Sequence, residues 1–431
     1  TNSNKNTNSN KNTNSNKNTN SNKNTNSNKN TNSNKKSELF NSVEKGESTN
    51  VKDKTENFLI TTLGKDNLIS NNVYLISLIL VLIVFAIIMF FLSSTFRNGR
   101  TISNLKKYHR YQTLKNFNYD KNGDKRVLDL HISSSFNCCS TKHKVFDYLH
   151  LDILKEILKS GARYIEIKIF NSNFGEDTSR TTIIPVINNG TEKGEWKLCF
   201  NPIPFKEFCL FIKKHAFQFL KKTDGDDFEG VPNNEDPLFL ALDLKTNKNI
   251  NVLNKIHKTI IDILGTYLLE DVNRSYTEDK NHFSQIPISN LKGTDKRKAR
   301  LIILSGDGFQ GSNLVKVING YWGSVEVNVP HKIKRLYFED LLKYNLESNK
   351  QLKEEFKKET SKQLTIITPD KDEDEQGNID MNLLKEINYD TKLAFDLGCQ
   401  FISVYYQSVD EHMDDYITRF KNYGIITKKR V

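Results

Sequence analysis

An uninterrupted apolar segment at residues 73–94 is the feature that most limits how this chain can fold. It runs from Val73 to Ser94 without a charged residue. An α-helix needs about 20 apolar residues to cross the hydrocarbon core of a bilayer. Because a helix satisfies all of its own backbone hydrogen bonds there, we predict one transmembrane helix over residues 73–94. The alternative, a helix buried in a soluble core, rarely requires so long an apolar run.

Basic residues follow this segment and predict its orientation. Residues 95–126 carry nine lysines and arginines against two acids, whereas Lys65 before the segment is offset by Asp66. Positive charge is retained on the cytoplasmic side of membrane helices. We therefore expect a single-pass membrane protein with a cytosolic C-terminal domain, joined to the helix by a basic juxtamembrane linker at 95–122. The partners this predicts are the bilayer and, for the linker, anionic lipid headgroups.

The N-terminal part of the chain is repetitive and polar. Residues 1–36 are six tandem copies of Thr-Asn-Ser-Asn-Lys-Asn, the last of which ends in Lys36. A segment without apolar residues cannot bury a core, so we predict a low-complexity, disordered tail over 1–36. Residues 37–72 are polar and mixed, and we predict a polar linker there.

Charge and cysteine content argue against two other classes of protein. The net charge is +11, but residues 127–431 hold 43 basic and 44 acidic residues. A nucleic-acid-binding domain would carry its basic face on the folded part, so we expect no nucleic-acid partner. The sequence identifies no protein partner. The cysteines are odd in number and include no CxxC pair, which predicts reduced core thiols and not a disulfide framework or zinc site. They are Cys138, Cys139, Cys199, Cys209 and Cys399.

Residues 123–431 alternate short β-rich runs with helical runs. This alternation predicts an α/β fold with a parallel sheet, and we expect a distorted TIM (β/α)8-type barrel after the transmembrane helix and the disordered tail. The predicted strands are residues 128–132, 164–170, 183–187, 238–244, 301–304, 364–367 and 401–405. The predicted helices are residues 146–159, 205–220, 252–269 and 416–422.

Short motifs in this domain resemble a known family. Residues 130–137 read LHISSSFN and residues 161–167 read GARYIEI. They resemble the opening of the X half of phosphatidylinositol-specific phospholipase C, which reads ISSSHN and then GxRxxELD. Residues 397–407, LGCQFISVYYQ, are similar to the family's Y-half segment GGCQIVALNFQ. The shared order implies an X-like region at 123–322 and a Y-like region at 360–431.

The resemblance places the family's catalytic chemistry on altered residues. Its two catalytic histidines correspond to Phe136 and Asn189. A phenyl ring and an amide do not exchange protons near pH 7, so general acid–base catalysis would be lost. The two lysines that hold phosphate in the family correspond to Ser305 and Asp307, and a carboxylate there would repel a phosphate.

The family's calcium ligands are altered as well. They correspond to Asn137, Glu166, Lys168 and Asp243. An ammonium group in a calcium cage should repel Ca²⁺, so we expect no cofactor, or at most weak Ca²⁺ binding. An alternative role for Glu166 and Asp243 is a structural ion pair with Lys168 or Arg163.

The resemblance therefore implies a membrane-anchored phospholipase C-like domain whose activity is lost or impaired. Two alternatives stay open: a divergent phosphoric diester hydrolase acting on phosphoinositide lipids, and a membrane scaffold or binding protein. Residues 306–311 also match the GxGxxG spelling of a dinucleotide-binding loop after an apolar run. The helix that should follow is short, and Asp307 would lie near the pyrophosphate.

Overall fold

The computed structural model describes most of the chain from the apolar segment onward. The described residues are 68–110, 113–143, 147–172, 183–190, 199–222, 228–269, 283–294, 299–323, 332–369 and 386–428. The chain divides into two compact units, residues 1–84 and 85–431. The predictions of a disordered tail and of a polar linker before residue 68 lie outside the described residues.

The first helix, α1 (Leu68–Leu105), contains the apolar segment and continues past Ser94. By length and composition it is able to cross a membrane. Within the second unit, Ser94, Thr101 and Leu105 are buried. The part of the chain predicted as a linker therefore begins as the last turns of this helix, because small and apolar side chains there pack on the domain.

Polar contacts fix the C-terminal half of α1 to the rest of the second unit. The Arg97 guanidinium lies 3.0 Å from the buried Asp147 carboxylate. The Thr101 hydroxyl donates to the Thr141 carbonyl at 3.2 Å. Beyond the helix end, the Tyr108 hydroxyl donates to Asp414 at 2.7 Å. Asp147 and Thr141 belong to the loop after the first barrel strand, so the helix is joined directly to one rim of the domain.

Eight of the described strands form a curled parallel sheet. In chain order they are β1 (Leu130–Phe136), β2 (Tyr164–Asn171), β7 (Leu238–Lys245), β8 (Leu301–Ser305), β9 (Gly320–Tyr321), β10 (Lys334–Tyr337), β11 (Thr365–Thr368) and β12 (Phe401–Val404). Their spatial order is β10-β11-β12-β1-β2-β7-β8-β9. The edge strands meet where the Ile333 amide donates to the Tyr321 carbonyl at 2.8 Å. The prediction of a distorted TIM-type barrel is confirmed.

Further strands and helices surround this sheet. The remaining strands are β3 (Pro185–Ile187), β4 (Ile203–Pro204), β5 (Lys221–Lys222), β6 (Phe228–Glu229) and β13 (Ile425–Thr427). The remaining α-helices are α2 (Tyr119–Asn122), α3 (Leu151–Lys159), α4 (Phe205–His215), α5 (Ile250–Leu264), α6 (Lys350–Thr360), α7 (Lys392–Asp396) and α8 (Glu411–Phe420). Short 3₁₀ turns are Lys106–Tyr108, Val127–Asp129, Gly265–Tyr267, Ile288–Leu291, Asn313–Val317, Phe338–Asn345 and Glu347–Asn349. The segment predicted as a strand at 183–187 pairs antiparallel with the end of β2 and is not a barrel strand.

Apolar side chains point alternately to the two faces of the sheet and form two apolar layers. On β2, Ile165, Ile167 and Ile169 belong to the layer shared with the helices. Tyr164 belongs to the layer inside the barrel, together with Phe401. Since successive side chains of a strand point to opposite faces, Glu166 and Lys168 share the inward face of Tyr164.

All five cysteines are buried free thiols, as the sequence predicts. Burial raises the pKa of Cys199 and of Cys399 to about 12. Because the thiolate is the reactive form, these two side chains serve as small apolar groups of the core.

Candidate active site at the carboxyl ends of the barrel strands

The parallel strands bring most of the predicted site residues to one rim. Phe136 ends β1 and is in register with Glu166 on β2. Lys168 is in register with Asp243 on β7. Active sites of barrels of this kind lie at the carboxyl ends of the strands. The predicted metal and proton-transfer positions therefore lie on adjacent strands, facing the interior of the barrel.

Phe136, at the position of the first catalytic histidine, is part of an aromatic contact. Its ring is buried and lies edge-on to the Tyr405 ring, with centroids 5.6 Å apart. The Lys168 ammonium lies 5.8 Å from the centroid of the Phe136 ring. This position therefore offers an apolar surface and the face of a ring to a cation, and no proton donor or acceptor.

Lys168 lies between Phe136 and the segment that contains Asn189. Its ammonium donates to the carbonyl of Gly190 at 3.0 Å, directly after Asn189 in the chain. The neighbouring Asn188 holds this segment in place: its amide nitrogen donates to the Cys199 carbonyl at 3.2 Å, and its amide oxygen accepts from the Cys199 backbone at 3.1 Å. Asn189 itself is buried, and its amide nitrogen has no hydrogen-bond partner among the described residues.

Glu166 is a buried carboxylate with a cationic partner. Its Oε2 accepts from the Tyr164 hydroxyl at 2.8 Å, and its Oε1 accepts from the Arg335 guanidinium at 2.8 Å. Burial raises the pKa of Glu166, Arg335 opposes that rise, and the nearby Asp243 adds to it. Burial and the adjacent Glu166 also raise the pKa of Tyr164, so the phenol remains a donor.

Arg335 was not anticipated from the sequence. It lies on β10, outside both regions that carry the motifs, and it reaches Glu166 from the other side of the barrel interior. The rings of Trp322 and Tyr337 flank its guanidinium, each 5.6 Å from the guanidinium carbon. The expected ion pair of Glu166 with Lys168 or Arg163 is wrong, because Arg335 occupies that place. Arg163 instead binds the Ala216 carbonyl at 3.0 Å.

Asp243 also has a cation beside it, from its own strand. The Lys245 ammonium lies 3.2 Å from the Asp243 Oδ1, and both side chains are about nine-tenths buried. The expected pairing of Asp243 with Lys168 or Arg163 is therefore replaced by one with Lys245. A residue two positions along a strand shares its face, so the sequence LDLK held a signal for this pair.

The four predicted calcium positions do not fit the ion as they are arranged. Calcium takes six to eight oxygen ligands, generally including several carboxylates. Here Glu166 is neutralised by Arg335, Asp243 by Lys245, and the third carboxylate position holds Lys168. Among the described residues, no group of three or more His, Cys, Asp or Glu side chains is placed to hold a metal ion.

Asn137 is engaged in a network that the sequence did not predict. It adopts a left-handed backbone conformation, with φ +48°, directly after β1. Its amide nitrogen donates to the buried Glu386 at 3.2 Å. Gln407 donates both to the Asn137 carbonyl, at 3.1 Å, and to Glu386, at 2.5 Å. Glu386 belongs to none of the motifs, so the sequence carried no signal for it.

The two positions that hold phosphate in the family do not form a clamp here. The Ser305 hydroxyl donates to the Gly306 carbonyl at 3.0 Å. Ser305 is in register with Leu242, which belongs to the outer apolar layer, so its side chain does not face the interior. The Asp307 carboxylate lies against Gly323, in the space that a Cβ there would need.

The GxGxxG segment lacks the helix that a dinucleotide site requires. The turn after it is the short 3₁₀ segment Asn313–Val317. Pyrophosphate binding at such a loop relies on the N-terminus of an α-helix. The segment is therefore a turn after β8, and the dinucleotide reading is not supported.

Comparisons with known proteins agree on one fold. Residues 125–293 match the family model of the phosphatidylinositol-specific phospholipase C X domain. In a direct sequence comparison, no curated protein matches the chain. The solved structure of PLC21 from S. officinalis is similar over 72% of this chain, with a TM-score of 0.50 and 15% identity, and that of PLC21 from L. pealei gives the same values. This chain spans 38% of the length of each.

A bacterial structure is also similar. It is a calcium-dependent phosphoinositol-specific phospholipase C from Pseudomonas sp., with a TM-score of 0.39 and 9% identity. The similarity covers 74% of this chain and 99% of the bacterial one.

Proposed function

We propose that the chain is a membrane-anchored member of the phosphatidylinositol-specific phospholipase C family, whose X-domain model matches residues 125–293, and that it lacks the family's hydrolytic activity. The observation that carries the proposal is the geometry of the rim. Phe136 is packed on Tyr405, and Asn189 is a buried amide. Neither position supplies a proton-transfer group, and each such group typically contributes about 10²–10⁴-fold to a rate.

A metal ion is not expected to compensate for these losses. In this chain the cationic groups of Arg335 and Lys245 lie on the carboxylates that would hold Ca²⁺. A calcium ion would have to displace a buried guanidinium from Glu166, which leaves that cation without its partner. We therefore expect Ca²⁺ at millimolar concentration to leave the unfolding temperature of the protein unchanged.

The decisive experiment measures hydrolysis by the full chain in detergent micelles containing phosphatidylinositol. We expect release of inositol phosphate no faster than with heat-inactivated protein, with or without Ca²⁺. Calcium-dependent release that Glu166→Gln abolishes would contradict the proposal and favour a divergent phosphoric diester hydrolase.

A second experiment tests whether the family's residues restore hydrolysis when they are introduced into this chain. The variant Phe136→His with Asn189→His and Lys168→Asp replaces both proton-transfer groups and the missing carboxylate. Arg335 would still hold Glu166, so we expect this triple variant to gain little. Addition of Arg335→Ser and Lys245→Ser frees the Glu166 and Asp243 carboxylates, and this quintuple variant is the one in which calcium-dependent activity should appear.

The divergent hydrolase is supported by one feature of the rim. Glu166 is a buried carboxyl group whose pKa is raised, and a second buried carboxyl group, Glu386, lies beside Asn137 at the same rim. A carboxylic acid of raised pKa can serve as a general acid or base. The hydrolysis assay on the unsubstituted chain distinguishes this candidate from the inactive one.

Anchoring and orientation form the second half of the proposal. Residues 73–94 of helix α1 would span the bilayer with residues 127–431 in the cytosol, and Arg97, Arg100, Lys106 and Lys107 would lie near anionic headgroups. The sequon Asn273-Arg274-Ser275 should then carry no glycan in cells. The tail contains no sequon, so Asn6→Thr creates one at Asn4, which should be glycosylated. A glycan on Asn273 and none on Asn4 would show the opposite orientation and contradict the proposal.

A further inference from the structure

A groove lies at the opposite end of the barrel, where the strands begin. It has a volume of about 1050 Å³. His131 lines it at the start of β1, Gly398 lines it just before β12, and Ile426 lines it from β13. The C-terminal ends of helices α6, α7 and α8 complete the lining of the groove. None of the site residues at the carboxyl rim takes part in it.

Positive charge is concentrated in this groove. Its cationic lining residues are Lys353, Lys357, Lys358, Arg419, Lys421 and Lys428. Against these six cations stand two lining acids, Glu354 and Asp396. Residues 127–431 as a whole carry 43 basic and 44 acidic residues. A domain that is nearly neutral overall therefore collects a clear cationic excess at one place.

Most of these cations form no salt bridge with another described residue. Lys357 pairs with Glu354 at 2.8 Å. Within the described parts of the chain, Lys353, Lys358 and Lys421 form no salt bridge with a carboxylate. Arg419 lies over the Phe395 ring at 4.8 Å, which holds its guanidinium beside an apolar floor. At the carboxyl rim, by contrast, Glu166 and Asp243 each have a cation.

Two lining lysines are in energetically unfavourable states: one has an uncommon backbone conformation, and the other has a buried ammonium group. Lys421, directly after α8, has φ +45° and ψ −106°, a backbone conformation that is uncommon for residues other than glycine. The Lys428 ammonium donates to the Thr360 carbonyl at 3.4 Å, and burial lowers its pKa to about 8. Strained backbone and partly desolvated charge persist where other interactions hold them, and they are frequent at ligand sites.

The negative ends of the helices account for part of this charge. Helices α6, α7 and α8 end at the groove, and cations near a helix C-terminus stabilise its last carbonyl groups. That effect falls off within the last turn. Lys353 lies in the first half of α6 (Lys350–Thr360), so the helix end does not explain it.

We propose that this groove is a binding site for a compact polyanion that carries two or more phosphate groups. Lysine ammonium groups on separate segments can each meet a different phosphate oxygen, and charge-assisted hydrogen bonds of this kind are strong. The apolar floor of Phe395, Leu397 and Ile426 would contact the carbon part of the ligand. Such phosphates could come from a soluble molecule or from a lipid headgroup.

The test uses the full chain in phosphatidylcholine nanodiscs, with tripolyphosphate as the probe and isothermal titration calorimetry as the readout. We expect binding at low salt, weakened at least about tenfold by Lys358→Gln with Lys421→Gln, because two charge-assisted contacts are lost. The matched control, Lys206→Gln with Lys258→Gln, removes the same charge from exposed positions on α4 and α5 and should bind like the unsubstituted chain.

A second set of nanodiscs identifies the source of the phosphate. If lipid phosphates occupy the groove, phosphatidic acid in the nanodiscs should compete with tripolyphosphate, and the groove variant should abolish that competition. If the ligand is soluble, phosphatidic acid should leave the affinity unchanged. Both results support the site.

Three results would overturn it. One is no tripolyphosphate binding by the unsubstituted chain at low salt. Another is equal weakening by the groove and control variants, which would indicate general charge attraction. The last is weaker binding by the groove variant together with a lower unfolding temperature than that of the control variant, which would assign the cations the role of stabilising helix ends.

Discussion

The two ends of the barrel handle their charges in opposite ways. At the carboxyl rim, each acid that the family would offer to a metal has a cation within the chain: Arg335 on Glu166 and Lys245 on Asp243. At the amino end, cations line a groove with few acids near them. Charges that are paired and buried mainly affect stability, whereas unpaired and accessible charges mainly affect binding.

Substitutions at the two ends of the barrel should therefore have different effects. A change at the carboxyl rim should alter the free energy of unfolding, and a change at the amino-end groove should alter affinity for anions.

The largest effect is expected from Arg335→Met. It leaves Glu166 buried without its cation, and removal of one partner from a buried pair typically costs about 3–5 kcal/mol. The measurement is thermal unfolding of the detergent-solubilised chain. The double variant Arg335→Met with Glu166→Met should recover much of the loss, because no unpaired charge remains.

The adjacent strand residue provides the matched control. Lys334 pairs with Glu359 at 2.7 Å, but both side chains are partly exposed. Lys334→Met should cost less than about 1 kcal/mol, since exposed pairs contribute little. Equal losses at positions 334 and 335 would contradict the view that the rim is a buried structural network.

The second prediction concerns the joint between α1 and the same rim. Asp147 accepts from Arg97 at 3.0 Å and from the Tyr148 amide at 2.8 Å, and its side chain is buried. Asp147→Asn removes the charge that holds Arg97 and should lower the free energy of unfolding by about 2 kcal/mol. Asp152→Asn, an exposed carboxylate at the start of α3, serves as the control. If both variants unfold at the same temperature, α1 is not fixed to the rim through Asp147.

The sequence predicted the barrel wall far better than the rim. The strands at 164–171, 238–245 and 301–305 appear within one residue of their predicted bounds, because apolar runs and the order of the motifs reflect burial along each strand. The short strands Gly320–Tyr321 and Lys334–Tyr337 were not predicted. They are too short or too polar to be distinguished from loops by local pattern.

The site residues were also predicted better than the partners that bind them. Glu166, Lys168 and Asp243 lie on strands that were predicted, at 164–170 and 238–244, whereas β1 extends to Phe136, beyond its predicted end at residue 132. The partners were not predicted: Arg335 lies 169 residues from Glu166 in the chain, and Glu386 lies 249 residues from Asn137. A pair of that separation is a property of the closed barrel and leaves no periodic signal in the sequence.

The third prediction concerns Asp236, a buried acid at the amino end of the barrel. Asp236 accepts from the Phe117 amide at 2.8 Å and from the Tyr119 hydroxyl at 2.9 Å. Burial raises the pKa of Asp236 to about 6, although Arg163 and these hydrogen bonds oppose the rise. The folded state thus binds a proton more tightly than the unfolded one, whose aspartate pKa is about 3.9.

The sign of the pH dependence follows from that order. The contribution of Asp236 to stability is present below about pH 4 and is lost as the pH rises through about 6. Relative to Asp236→Asn, the unsubstituted chain should lose about 1 kcal/mol of stability between pH 5 and pH 6. Unfolding temperatures of the two chains across pH 4–7 provide the measurement, and parallel curves would show that Asp236 does not titrate in this range.

The smallest effect is expected from Glu354→Gln in the groove. Glu354 is exposed and pairs with Lys357, so its loss should leave the unfolding temperature within experimental error. It should, however, remove a negative charge beside the proposed phosphate site and tighten tripolyphosphate binding by about threefold at low salt. The gain should vanish at high ionic strength, because charges separated by solvent are screened there. Glu207→Gln on α4, away from the groove, should change neither quantity. Weaker binding by the Glu354→Gln variant would mean that Glu354 holds Lys357 in its binding position, and the groove would then resemble the paired rim more than its opposite.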